Sequence, residues 1–208
     1  MWNYTPKQLT EMALSARLYS GRAGHVKEIQ KGVTKTTTYL TRRANTPEGY
    51  KSQFFFVKVR KNLMATMAYA IIDDYEGETF VRMEKSGVLI VVHAHAIKRY
   101  YERHGFDGTF EQCRDFLLLK GFIFINIDVD EYTKETLSYF DDGVFMGIME
   151  ENVWRVKTWI KNTQCYQNQR LASFQSQKEQ NKLVEDAKER NGLLMNALNN
   201  LDFYKDKC

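Results

Sequence analysis

The sequence predicts an α+β fold built on a mainly antiparallel sheet. Strand-like segments follow one another in the first half of the chain, separated by short turn signals, as in a β-meander. Helix patterns lie before, between and after these strands instead of alternating with them, which is typical of α+β proteins. We expect five to seven strands, an N-terminal helix, two central helices and a long C-terminal helical arm. The α+β domain should span residues 1–162, and residues 163–208 should form an amphipathic helical extension.

The first helix is expected to begin after Thr5. Thr5 is a suitable N-cap, Pro6 suits the first helical position, and Gln8 stands where a capping box needs it. Gly21 should end this helix. A second, short helix is expected over residues 25–31.

A meander of strands is predicted next. Its segments are TKTTTYLTRR, YKSQFFFVKVRK, LMATMAYAIID and TFVRMEK, with turns at NTPEG and at Glu76-Gly77. The following GVLIVV is apolar throughout and predicts a buried strand. Three consecutive rings, those of residues 54–56, must face both sides of their strand, so at least two of them should lie in the core.

Two helices and a hairpin are predicted in the second half of the chain. HAIKRYYER predicts the first helix, and a capping box from Thr109 to Gln112 starts a second one that ends at Gly121. GFIFINIDV is apolar enough for another buried strand. A hairpin follows around Glu151-Asn152. Its second strand should present alternate residues to opposite faces: Val153, Arg155, Lys157 and Trp159 against Trp154, Val156, Thr158 and Ile160.

The C-terminal extension carries no strand pattern. Val184, Asn191 and Leu198 recur at seven-residue spacing, as do Ala187, Leu194 and Leu201. The resulting amphipathic helix would pack on its own domain or bind another chain, including a second copy of this one.

Composition narrows the class of protein. Three cysteines, none of them in a CxxC pattern, argue against a disulfide framework and fit a reducing cytoplasm. No run approaches the roughly 18 apolar residues of a membrane span, so we expect no membrane partner. Residues 1–63 carry 12 Lys and Arg against 3 Glu; these charges either form the solvated surface of a mildly basic protein, the interpretation that we favour, or a surface that binds phosphates. Residues 121–151, with eight acids and one lysine, argue that any nucleic acid contacts one face only.

Ionisable residues are concentrated after the buried GVLIVV strand. His93 and His95 differ by two residues and would share one face at the end of that strand. If a helix begins near His95, then His95, Arg99, Glu102 and Arg103 recur at i, i+4, i+7 and i+8 and line one stripe. Guanidinium groups bind phosphate oxygens, and an imidazole exchanges protons near neutral pH.

Two other interpretations of this stripe remain open. It could be a polar helix surface in which Glu102 pairs with Lys98 or Arg99, a kind of pair that contributes about 0.3–0.5 kcal/mol. It could instead hold a metal through His93 and His95, completed by His25, Asp128, Asp130 or Glu131, but the adjacent arginines would repel a cation. We therefore expect no metal and no cofactor.

HAIKRYYER resembles the H-A-x-x-R-x-x-E-R core of BrnT-type toxins and their relatives in the RelE-like ribonuclease group. The resemblance implies a helix beside an antiparallel sheet, with His95, Arg99, Glu102 and Arg103 at the matching positions. In such proteins a later strand brings further basic residues to the same surface. The segment NVWRVKTWIK offers Arg155 and Lys157 for this role, whereas residues 1–85 and 165–208 have no counterpart.

The function expected from these features is that of a metal-independent ribonuclease-like or RNA-binding protein. Arg99 and Arg103 would hold phosphate, His95 would act as acid or base, and Glu102 would orient it. Residues that would support substrate binding are His93, Arg155 and Lys157. The alternative is a non-enzymatic interaction or structural protein of a phage or mobile element, docking through its C-terminal helix. RNA and a protein bound by that helix are thus the two candidate partners.

Overall fold

The computed structural model describes residues 4–21, 39–59, 62–121 and 127–165, together with residues 178 and 182. This part of the chain forms one nine-stranded sheet and three α-helices. The helices are α1 (Pro6–Ser20), α2 (Ala94–Tyr100) and α3 (Phe110–Phe116). The strands are β1 (Tyr39–Asn45), β2 (Lys51–Val59), β3 (Asn62–Asp74), β4 (Gly77–Met83), β5 (Leu89–Val92), β6 (Asp128–Val129), β7 (Glu135–Phe140), β8 (Gly143–Glu150) and β9 (Val153–Lys161).

The sheet consists of two antiparallel meanders joined by one parallel pair. The strand order is β1-β2-β3-β4-β5-β9-β8-β7-β6. Among the nine strands described, only β5 and β9 run parallel, in a register from Leu89 opposite Val153 to Val92 opposite Val156. The connection between these two strands contains α2 and α3, as parallel neighbours require a crossover. The predicted α+β class and the mainly antiparallel sheet are confirmed.

An apolar cluster lies on each face of the sheet. On one face α1 packs Leu9 and Met12 against a cluster that includes Phe54 and Phe56. On the other face α2 and α3 cover a larger cluster that includes Phe55. All three rings of residues 54–56 are therefore core residues, as the alternation of a strand between two apolar layers demands.

The helix ends follow their capping residues. Thr5 and Gln8 form a capping box before α1, Thr109 and Gln112 form another before α3, and Gly21 ends α1. Each central helix then continues as a π-helical turn, over Tyr101–Gly105 after α2 and over Leu117–Gly121 after α3. The predicted ends at Gly21 and Gly121 are thus confirmed.

The expectation of five to seven strands is wrong, because the sheet has nine. The sequence pattern does not predict β7, which forms a hairpin with β8. Two of its inward-facing residues, Thr136 and Ser138, are polar and fully buried, so the segment lacks an apolar alternation. Thr136 is accommodated because its hydroxyl oxygen accepts a 2.8 Å hydrogen bond from the indole nitrogen of Trp154.

The predicted hairpin around Glu151-Asn152 is confirmed, but the predicted alternation along β9 is wrong beyond Val156. A β-bulge places Thr158 opposite Met146 and Val156 opposite Gly147, which leaves Lys157 as the extra residue. The bulge changes the parity of the strand. Trp159 therefore joins Trp154 and Val156 in the larger core cluster instead of facing the same side as Arg155.

Several expected elements fall outside the described residues. These are the short helix at residues 25–31 and nearly all of the C-terminal extension at residues 163–208. Of the strand expected at GFIFINIDV, the structure describes Gly121, which ends a π-helical turn, and the short β6 with the residue before it. None of the helices in the described part of the chain is long and apolar enough to span a bilayer.

Candidate functional site at the junction of β5 and α2

The candidate site begins where β5 ends. All four residues of β5 are buried, and the backbone of His93 still donates to the carbonyl oxygen of Val156 in β9 at 3.2 Å. His93 is extended (φ −71°, ψ 145°) and serves as the N-cap of α2. The buried side of α2 carries Ala96, Ile97 and Tyr100, which leaves His95 and Arg99 at its accessible side.

The turn between β3 and β4 packs against this junction. Gly77 has φ +130°, and a Cβ on it would lie 3.2 Å from the Cβ of Ala94. Asp74 holds the turn in place with both carboxylate oxygens: Oδ1 accepts from the backbone N–H of Glu76 and Oδ2 from the hydroxyl of Thr79, each at 2.8 Å. The turn therefore has a fixed position beside the first residues of α2.

His95, Arg99 and Glu102 are brought together as the sequence predicts. Arg99 Nε donates to His95 Nε2 at 3.2 Å, and Arg99 Nη1 lies 3.4 Å from Glu102 Oε2. The side chains of His95 and Arg99 are 35% and 39% exposed, so a ligand can reach them. An imidazole and a guanidinium thus share one accessible surface.

The carboxylate that faces His95 belongs to Glu76. Its Oε1 lies 3.9 Å from His95 Nδ1, whereas Glu102 contacts Arg99 and lies 4.0 Å from Lys98. Glu102 was expected to orient the imidazole of His95. Glu76, from the turn between β3 and β4, lies in that position instead.

Arg103 lies in a different environment. Its Nη1 donates to the carbonyl oxygen of Trp159 in β9 at 3.0 Å. The stripe expected from i, i+4, i+7 and i+8 spacing assumes a continuous α-helix, but a π-helical turn begins at Tyr101. A π-turn bonds residue i to i+5, so the side chains after Tyr101 no longer follow the α-helical period.

His93, the N-cap of α2, lies beside Thr79 of β4. Its Nδ1 lies 3.5 Å from Thr79 Oγ1. Burial lowers the pKa of His93, and the positive charges of Arg155 and Lys157 lower it further, while Asp74 and Glu76 act in the opposite direction. Both basic residues predicted from β9 therefore lie within electrostatic range of His93.

Arg155 and Lys157 differ in their surroundings. Arg155 stands opposite Val91 of β5 and lines a cavity of about 490 Å³. Lys157 is the exposed bulge residue. The remaining lining of the cavity comes from Pro6, Lys134, Met149, Glu150, Glu151 and Val153.

Three residues of the site were missed from the sequence: Asp74, Glu76 and Thr79. A signal for them existed, because in an antiparallel meander the turn before β4 lies at the same end of the sheet as the end of β5. The predicted turn at Glu76-Gly77 and the histidines after β5 were therefore neighbours by topology alone.

His104 forms a second polar group beyond the π-turn. Its ring stacks on Tyr100 with centroids 4.7 Å apart, and its Nε2 lies 3.9 Å from carboxylate oxygens of Asp141 and Asp142. The hydroxyl of Tyr100 donates to Asp141 Oδ2 at 2.5 Å. These contacts fix the end of the helical segment to the turn between β7 and β8.

Among the residues that the structure describes, no group of three His, Cys, Asp or Glu side chains is arranged to hold a metal ion. Comparison with known protein families, with characterised proteins and with solved structures finds no match.

Proposed function

We propose that this protein is a metal-independent, ribonuclease-like enzyme or RNA-binding protein acting at the junction of β5 and α2. The observation that carries the proposal is the 3.2 Å contact between Arg99 Nε and His95 Nε2 on an accessible helix surface. It places a phosphate-binding cation and a proton-transfer group within reach of the same phosphodiester.

The chemistry requires few groups. RNA can be cleaved by its own 2′-hydroxyl when a base removes the hydroxyl proton, a cation stabilises the phosphorane and an acid protonates the leaving oxygen. Arg99 supplies the cation, with Arg155 and Lys157 adding positive charge. His95 supplies an acid or a base, and Glu76 faces its second nitrogen at 3.9 Å.

An exposed aromatic ring supports a single-stranded substrate. Tyr75 is 93% exposed and stands next to Glu76 in the turn that packs on α2. Aromatic side chains beside cationic groups are stacking platforms for unpaired bases.

Arg103 is not part of the proposed phosphate site, because its guanidinium donates a hydrogen bond to a backbone carbonyl oxygen.

The proposal includes the finer expectations from the sequence. The resemblance of HAIKRYYER to BrnT-type toxins supports a toxin-like ribonuclease, and the cysteine pattern supports a cytoplasmic location. RNA is the proposed partner.

The test is cleavage of a mixed pool of labelled RNA in EDTA by the wild type, His95→Ala and Arg99→Ala. Arg42→Ala is the matched control, since Arg42 is an exposed arginine on β1, at the opposite edge of this half of the sheet. We expect cleavage by the wild type and the control and loss in both site variants, with unchanged melting temperatures. Absence of cleavage and of RNA binding in the wild type would reject the proposal.

A second candidate is an interaction or structural protein of a phage or mobile element that docks through its C-terminal helix. The observation in its favour is that the charges of the site are paired locally, Glu102 with Arg99 and Lys98, and Glu76 with His95. On this alternative, self-association measured by sedimentation should vanish when residues 166–208 are removed and persist in the His95→Ala, Arg99→Ala double variant.

A further inference from the structure

We propose that the C-terminal segment, residues 166–208, folds back as a helix onto the face of β7, β8 and β9 that lies opposite α2 and α3. Apart from Lys178 and Lys182, this segment lies outside the described residues. The inference does not rest on the proposed ribonuclease function. It bears on the second candidate function, because an apolar stripe that is used within the chain is not free to bind a partner.

The pairing of the strands defines the face in question. On β8, Phe145 belongs to the larger core cluster, so its neighbours Val144 and Met146 point to the opposite side of the sheet. Their partners on β7 and β9, and the residue that follows the bulge of β8, extend the same side. This second-meander face consists of Leu137, Tyr139, Val144, Met146, Ile148 and Ile160.

The three described helices do not account for the burial of the second-meander face. α1 packs against β2, β3 and β4, and the cluster beneath it reaches β9 only at Val153. α2 and α3 lie over the other side of the sheet. Val144 is nonetheless 0% exposed, although it belongs to neither core cluster. An apolar sheet face needs a covering layer, so another element must supply one here.

The remaining stretches of the chain differ in length and position, and these differences select the occupant. Residues 1–3, 60–61 and 122–126 are each shorter than two helical turns, too few to form a covering layer. Residues 22–38 connect α1 to β1 at the far edge of the sheet, where the ring of Tyr19 contacts that of Phe54 in β2 with centroids 5.6 Å apart. Residues 166–208 begin near the second-meander face. The backbone N–H of Asn162 donates to the carbonyl oxygen of Asp142, in the turn between β7 and β8, at 2.8 Å.

The sequence of the segment supplies a matching surface. Its apolar stripe at heptad spacing contains Val184, Ala187, Leu194, Leu198 and Leu201. On a continuous helix, with about 100° between successive residues, Lys178 and Lys182 lie roughly 165° from the centre of this stripe. Both lysines are helical and exposed. A helix that buries its stripe against the sheet would expose them in this way.

The stripe and the face also match in length. From Val184 to Leu201 a helix rises about 26 Å, and the eight residues of β8 extend about 27 Å. Residues 166–177 separate the end of the described sheet region from the first helical lysine, and an extended stretch of this length spans about 40 Å. The segment can therefore place its stripe along β8 within its own chain.

The test measures the accessibility of the face in the full-length protein. Met146→Cys places a thiol on the second-meander face, and its reaction with a maleimide is followed by peptide-resolved mass spectrometry. We expect slow labelling in this background, and labelling about tenfold faster or more when Leu194→Asp and Leu198→Asp are added. The matched control adds Lys178→Asp and Lys182→Asp instead. It introduces the same residue type at the same spacing on the exposed side, and its labelling should stay slow.

Cys113 reports whether the rest of the fold survives. It is 0% exposed within the larger core cluster, so its labelling should remain slow in every variant. If the aspartates expose Cys113 as well, the milder pair Leu194→Ala and Leu198→Ala decides by the same comparison. Equal labelling of the Met146→Cys thiol in the stripe variant and in the control would overturn the inference.

Dilution separates packing within one chain from exchange between two copies. Protection of the Met146→Cys thiol that persists on about hundredfold dilution supports packing within the chain. Protection that is lost on dilution, with a dimer detected by sedimentation, would assign the stripe to a second copy and overturn the inference. Neither result depends on RNA cleavage, so the proposed ribonuclease function stands or fails separately.

Discussion

The guanidinium of Arg103 donates to the carbonyl oxygen of Trp159 at 3.0 Å, although Arg99, four residues earlier, contacts His95. Arg103 thus ties the π-turn after α2 to β9, and Arg99 faces a surface that a ligand can reach. Two arginines that the sequence places in one motif therefore have different expected effects when they are changed.

Arg103→Met should destabilise the fold and leave the chemistry intact. Loss of a hydrogen bond from a charged group costs about 1.5–3 kcal/mol when its partner is left unsatisfied. Arg99→Met should change the free energy of unfolding by less than about 0.5 kcal/mol, as is usual for exposed positions. Urea unfolding and RNA cleavage well below the melting temperature measure the two effects. Normal stability in Arg103→Met together with loss of cleavage would contradict the structural assignment.

Phosphate contacts should be visible in the salt dependence of RNA binding. Each contact to a single strand contributes about 0.7 to the slope of log K against log salt concentration. Arg99→Ala and Lys157→Ala should each reduce the slope by about this amount. The control Arg42→Ala, on the far edge strand β1, should leave it unchanged. Equal slopes in all four proteins would place the phosphates elsewhere.

Tyr75 should contribute to binding by stacking. Tyr75→Ala should weaken the binding of single-stranded RNA by about 1–3 kcal/mol, the range for one stacked base, and Tyr75→Phe should bind normally. Tyr132 is the matched control, since it is 95% exposed in the turn before β7. Fluorescence anisotropy with a labelled oligonucleotide measures the affinities. An equal loss in Tyr132→Ala would show that any exposed ring suffices.

Asp115 should make stability depend on pH in a defined direction. It is buried, and burial raises its pKa although Arg114 and Gln53 donate to its Oδ1 at 3.0 Å. Because the folded state holds this proton more tightly, its stabilising contribution is complete below the unfolded pKa and is lost as the pH rises through the folded pKa. Asp115→Asn should therefore gain melting temperature relative to the wild type between pH 4 and pH 7.

Glu78→Gln provides the control with the opposite sign. Burial alone would raise the pKa of Glu78, but hydrogen bonds from Arg43 and Lys51 lower it overall. Its contribution is present above the ordinary pKa of 4.5 and is lost as the pH falls below it, so the melting-temperature advantage of the wild type over Glu78→Gln should shrink as the pH is lowered from 5 to 3. Parallel pH profiles for the two variants would contradict both assignments.

Features encoded by neighbouring residues were predictable from the sequence. The capping boxes at Thr5 and Thr109 and the hairpin turn at Glu151-Asn152 depend on side chains within a few positions of one another. The buried strand β5 was recognisable because all its residues are apolar. The contact between His95 and Arg99 follows from helical spacing of four residues.

Features that depend on distant partners were not predictable. From the sequence alone, Thr136 would be expected at the surface because it is polar. It lies in the core because the indole nitrogen of Trp154, 18 residues later, donates a hydrogen bond to its hydroxyl oxygen. The bulge at Lys157 is defined by the pairing of β9 with β8, and it reverses the face on which Trp159 lies. Glu76 reaches His95 only because β3, β4 and β5 form a meander.

The parallel pairing of β5 with β9 also has a consequence for the order of folding. Within each meander, neighbouring strands are consecutive in the chain, so each half is rich in local contacts that form quickly. The pairing of Leu89 with Val153 joins segments from different halves and should form late. His93 belongs to the first half and Arg155 to the second. The arrangement that includes both residues therefore exists only in chains in which β5 and β9 have paired.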